Sequence, residues 1–145
     1  MPKTTSYAGS LLSLIFKNTT YATVGDATGI VGSTAPGSLF FSLHTADPTV
    51  TGTQTSNEAT YTGYVRVTVA RSAGGFTVTA NSVSPVAAVT FPACSAGANT
   101  ITFFGIGSAS TGVGILLYSG SVSPSISVAP GVTPSLSTSS AITEA

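Results

Sequence analysis

His44 and Asp47 stand three residues apart in the stretch SLHTADPT (42–49), and they are the chain's one histidine and one of its four acidic residues. An imidazole beside a carboxylate serves metal ligation, proton transfer and nucleophile activation, and each of those uses needs further members. A metal would require Asp47, Glu58 and Cys94 to converge on His44 from separate segments. A cysteine hydrolase on Cys94 and His44, or a serine triad through Asp47, lacks its flanking signature. No Gly-x-Ser-x-Gly elbow occurs, and FPACSAG (91–97) does not look like a cysteine-protease flank. Paired carboxylates for glycoside cleavage could come only from Asp26, Asp47, Glu58 and Glu144, with nothing to hold two of them across a sugar. GIGSASTG (105–112) has neither the third glycine nor the Lys-Ser/Thr end of a phosphate loop, and reads as a turn. The expectation is a protein that is not an enzyme and has no catalytic residues, no metal and no cofactor.

What the polar residues do make is a cluster. His44, Asp47, Glu58, Arg66 and Arg71 fall within 28 positions of an otherwise neutral chain, with Tyr64 among them. Charged groups are seldom held near a β-core unless they pair and hydrogen-bond. Asp47-Pro48 also opens a turn well, because the Asp side chain can bond the backbone that follows and Pro presets its dihedral. The spacing predicts a structural polar staple of His44, Asp47, Glu58, Tyr64, Arg66 and Arg71. In it Arg66 clamps Asp47 or Glu58 with a bidentate pair and fixes the 46–62 connection against the sheet.

The elements around the cluster follow from periodicity. In residues 6–18, Tyr7, Leu11, Leu14 and Ile15 have the spacing of one helical face, Thr5 or Ser6 can cap the start, and Asn18 the end. Residues 19–37 show no period and read as a loop or extended arm. From Ser38 the period becomes two. Leu39, Phe41 and Leu43 share a side, with His44 opposite Leu43, and Val65, Val67 and Val69 share a side with Arg66 opposite. Further runs at 75–81, 86–91, 99–105, 114–120, 125–129 and 134–139 are each bounded by Gly, Pro, Asn or Ser. About eight short runs without helical crossovers predict an all-β, antiparallel sandwich of jelly-roll type with one short N-terminal helix. The expected organisation is one domain over 1–145: helix and extended arm 1–37, sandwich 38–140, frayed tail 141–145.

Composition narrows the partners. Only 6% of residues are Asp, Glu, Lys or Arg, against about 25% in ordinary soluble domains. None lies between Arg71 and Glu144. With zero formal net charge and mean hydropathy +0.45, the chain lacks the repulsion that keeps copies apart, so self-association is expected. Cations at 3, 17, 66 and 71 are too sparse to follow a phosphate backbone, which excludes nucleic acid as the expected partner. One cysteine, Cys94, permits no internal disulfide and reads as a small buried hydrophobe in a reducing compartment. Lys3 followed by the short apolar run Leu11–Phe16 does not make a secretory signal, since Lys17 and Asn18 follow where small residues should. ITFFGIGSASTGVGILLY (101–118) is long enough to cross a bilayer, yet Gly and Ser split it into hairpin halves, and no membrane association is expected.

The blocks SLHTADP (42–48), NEATYTGYVRVTVAR (57–71), VTFPAC (89–94), ITFFGIG (101–107) and LLYSG (116–120) together resemble a family of small virion proteins of tailed bacteriophages. The similarity covers most of residues 11–120, with Glu58-x-x-Tyr61-x-Gly63-Tyr64-x-Arg66 as its central block. Thr49 departs from it, since many relatives have Gly there. Length, pattern and composition look most like the capsid cement, or decoration, proteins of Bordetella-type podophages. That resemblance implies a jelly roll without an active site that dimerises on the capsid exterior, bridges major capsid protein subunits and is made in the host bacterial cytoplasm. A tail- or tail-fibre-associated structural virion protein is the alternative that the same resemblance implies.

Overall fold

The computed structural model describes residues 2–144. One helix, α1 (Thr5–Lys17), precedes nine strands: β1 (Ser38–His44), β2 (Val67–Ala70), β3 (Phe76–Thr79), β4 (Ser82–Pro85), β5 (Val89–Thr90), β6 (Asn99–Gly107), β7 (Leu116–Val128), β8 (Ser135–Leu136) and β9 (Ile142–Thr143). They form antiparallel sheets in the orders β2-β1-β6-β7, β3-β4-β9 and β5-β8. This is the all-β class with one short helix that the pattern predicts, consistent with a sandwich. Two expected runs, 114–120 and 125–129, are one strand, and β4 and β9 are additions. The chain divides into two compact units. The first takes in the chain up to Ser38, Ala70–Ala87 and the chain from Thr138; the second takes in Leu39–Val69 and Ala88–Ser137.

In the first unit, the Thr4 hydroxyl caps α1 by accepting from the Tyr7 N–H, and Asn18 closes it in the left-handed region at φ 57. The buried face is Ala8, Leu12 and Phe16, not the Tyr7 face that spacing favours, and Tyr7 is exposed. Two residues explain the rotation. Phe16 brings the helix's largest apolar side chain edge-on to Phe76, with centroids 5.0 Å apart. Gly9 lets the helix backbone come close to the end of β3, where an added Cβ would stand 2.3 Å from the Ala80 carbonyl oxygen. Helix propensity alone favours Gly9→Ala by about 1 kcal/mol. The expected result is the reverse, a loss of about 1–3 kcal/mol in urea unfolding, because a backbone carbonyl cannot swing away as a side chain can.

Two expectations about this unit are corrected. Residues 19–37 are not an extended arm. Tyr21 and Ile30 exchange both backbone hydrogen bonds at 2.9 Å, while the Asp26 carboxylate accepts from the Thr28 and Gly29 N–H groups and turns the chain back. Nor do residues 141–144 fray. Ile142 is buried and pairs with Val83, and the Glu144 carboxylate meets the Lys3 ammonium at 2.8 Å. Residue 145 of the expected frayed tail lies outside the described residues.

In the second unit, β1 runs antiparallel to β6, which pairs in turn with β7 across the predicted hairpin. Leu39, Phe41 and Leu43 are buried on one face of β1, with Phe41 stacked on Phe104 at 6.3 Å. Ser42 and His44, on the other face, are fully buried as well. The predicted side of Val65, Val67 and Val69 fails at its first member. Val65 is 58% exposed and Arg66 is the inward residue, because β2 begins only at Val67 and the preceding backbone is a turn closed by the Tyr64 N–H on the Tyr61 carbonyl. No helix among the described residues is long and apolar enough to cross a membrane.

Candidate functional site

The polar face of β1 gathers most of the cluster. The 57–59 segment pairs with the end of β1: the Thr45 N–H donates to the Asn57 carbonyl and the Ala59 N–H to the Leu43 carbonyl, each at 2.8 Å. Glu58 is thereby set opposite His44 in an isolated bridge. Arg66 meets its carboxylate bidentately, Nε to Oε1 at 2.6 Å and Nη2 to Oε2 at 2.8 Å. The side chains are 3% and 16% exposed, so this is a buried pair whose loss leaves an uncompensated charge. The Tyr64 hydroxyl donates to Glu58 Oε1 at 2.9 Å and accepts from the Leu43 N–H at 3.1 Å. Burial, then the neighbouring Glu58 charge, pushes the Tyr64 phenol well above its ordinary value, while hydrogen bonding to Glu58 holds the Arg66 guanidinium charged.

Arg66 also reaches the turn between β6 and β7, donating from Nη1 to the Ala109 carbonyl at 2.9 Å and from Nη2 to the Gly112 carbonyl at 2.7 Å. A second side chain holds the same turn. Gln54 is fully buried, and its amide pairs with the backbone of one residue, accepting from the Ala109 N–H at 2.9 Å and donating to the Ala109 carbonyl at 3.2 Å. Sequence reasoning missed Gln54, which lies in a stretch without period. The available signal is a pair of glycines in the apolar second half of β6, a mark of close approach. A Cβ at Gly107 would lie 2.1 Å from Gln54 Cδ, and one at Gly105 would lie 2.7 Å from His44 Nε2 and from Ser42 Oγ. The FGIG and SLH blocks are thus two sides of one packing arrangement.

His44 donates from Nδ1 to the Ser56 carbonyl at 2.7 Å, since a carbonyl can only accept, and Nε2 lies 2.8 Å from the Ser42 hydroxyl. In the neutral imidazole, which burial favours, Nε2 accepts from that hydroxyl. Burial holds the imidazole pKa below the usual 6.5, against the opposing pull of the Ser56 carbonyl and Glu58. On acidification the unfolded chain takes up this proton first. The stability owed to neutral His44 is therefore present above the unfolded value and lost as pH falls from there through the lowered folded one. The unfolding free energy from urea titration is expected to drop between about pH 7.5 and 5.5 with a slope no steeper than about 1.4 kcal/mol per pH unit, and the drop to shrink in His44→Gln.

Two predicted members stand elsewhere. Asp47 is exposed and does not meet Arg66; its carboxylate accepts from the Thr49 N–H at 2.8 Å and shapes its own turn. In that turn Thr49 has φ 64. Glycine takes this conformation without the cost a β-branched residue bears, so Thr49→Gly is expected to raise stability by about 1 kcal/mol in thermal unfolding. Arg71 belongs to the first unit, where its guanidinium donates to the Leu14 and Ile15 carbonyls at the open end of α1. Cys94 is buried, with its Sγ on the Ala96 and Gly97 carbonyls. Among the described residues no three His, Cys, Asp or Glu side chains gather closely enough to hold a metal ion. The arrangement binds chain to chain: Glu58, Arg66, Tyr64, Gln54 and His44 tie the 54–66 segment to β1 and to the 108–115 turn.

No curated protein matches this chain. Residues 4–143 match the family described as "Podophage GP4 fiber I protein gp80", and over that span, nearly its whole length, the chain belongs to this family of podophage virion structural proteins.

Proposed function

We propose that this virion structural protein is a tail- or fibre-associated subunit, without enzymatic activity or cofactor, whose partners are copies of itself and a neighbouring virion protein. The observation that carries the reading is the family match over residues 4–143, whose description names a fibre protein. The polar geometry supports a structural role, because the buried donors and acceptors are directed at the chain's own carboxylate and carbonyls. Three of the four cations, Lys3, Arg66 and Arg71, are engaged within the chain, which weighs against nucleic acid as a partner. A neutral, hydroxyl-rich exterior can be buried against neighbours without stranding charges, and contacts that are modest per copy gain avidity when a particle repeats them.

Gold-labelled antibody on intact particles tests the location, with label expected on the tail or fibres. Label spread evenly over the head would overturn the fibre assignment and favour a cement protein that bridges major capsid subunits from outside.

A further inference from the structure

The turn between β6 and β7 is held by side chains from elsewhere in the sequence. Arg66 grips it at the Ala109 and Gly112 carbonyls, the Gln54 amide pairs with the Ala109 N–H and carbonyl, the Gln54 backbone N–H donates to the Val113 carbonyl, and the Ser108 hydroxyl accepts from the Ile115 N–H. What this clamped segment displays is apolar. Val113 is 62% exposed, Ile115 67% and Leu117 38%, at every second residue, with no charged residue anywhere from 72 to 143. Loops held in place by a rigid scaffold lose little freedom on binding, and exposed apolar side chains in a group mark contact surfaces.

We infer that the clamped 113–117 segment is the surface through which two copies of this chain associate. The occupant follows from charge. An ordinary protein surface, rich in charged side chains, would leave ions desolvated against this neutral loop. A second copy brings the same neutral loop, and a two-fold arrangement of one patch against itself closes at two copies. With so few side chains involved, the contact is weak in isolation. The inference is independent of where in the particle the protein sits.

Sedimentation velocity on the isolated protein, from about 1 to 200 µM, is expected to show reversible monomer–dimer exchange. Ile115→Glu is expected to weaken association at least tenfold with the thermal midpoint unchanged. Val31→Glu, at a residue 59% exposed in the first unit, should associate like the parent. Ile115→Ser replaces the charged variant if that one does not fold, with a smaller weakening expected. A monomer throughout the range, association untouched by both Ile115 variants, or equal loss in Val31→Glu would overturn the inference. Antibody label on the wrong part of the particle would not.

Discussion

Arg66→Ala is expected to lower unfolding stability by about 3–5 kcal/mol, the range for breaking a buried ion pair by removing one partner. Three losses coincide. The Glu58 carboxylate keeps the Tyr64 hydroxyl but loses both guanidinium contacts, and the Ala109 and Gly112 carbonyls lose a charged donor. Arg66→Lys should recover little of this, because a single ammonium cannot span a carboxylate and two separate carbonyls as a planar fork does. Urea unfolding at neutral pH measures both variants. A loss under about 1 kcal/mol in Arg66→Ala would place the pair with surface salt bridges and remove the basis for reading the cluster as a staple.

The half of the staple that was legible beforehand is instructive. A bidentate Arg66 with a nearby carboxylate follows from the scarcity of charge, since so few ions in a neutral chain must find one another. Which carboxylate it chooses does not follow. Glu58 wins because backbone pairing with β1 places it beside His44, while Asp47 is drawn into its own turn. Arg71 shows the limit of sequence proximity. Five residues from Arg66, it serves α1 more than fifty positions away, because the last carbonyls of a helix need donors and the Gly37–Arg71 backbone bond brings it there. Strands are legible where apolar residues alternate, as in β1 and β3. Short strands such as β9, whose two residues have neighbours only through the fold, left no period to read. Periodicity places the helix but not its buried face, because it weighs hydrophobicity and not the bare backbone that Gly9 offers to Ala80.

The FGIG block yields the second large effect. Gly107→Ala is expected to cost about 3–5 kcal/mol, as the combined consequence of overpacking and of buried groups losing their partners. The new methyl carbon would stand 2.1 Å from Gln54 Cδ and 2.5 Å from Cγ and Nε2, so the amide must leave. Its departure leaves the Ala109 N–H without its side-chain acceptor and the Ala109 carbonyl with Arg66 as its side-chain donor. Gly114, with φ 52 and an added Cβ only 2.0 Å from Gln54 Oε1, closes the other side, so the side chain has no short retreat. The physical claim is that Gly107 exists for Gln54, and a double-mutant cycle isolates it. Gln54→Ala alone should cost about 2 kcal/mol for the lost amide pair and the void it leaves. Adding Gly107→Ala to Gln54→Ala should then cost almost nothing, because the atoms it would strike are gone and the methyl fills part of the space. If the two losses simply add, the glycine serves the β6 backbone instead, and the packing of Gln54 against Gly107 is refuted.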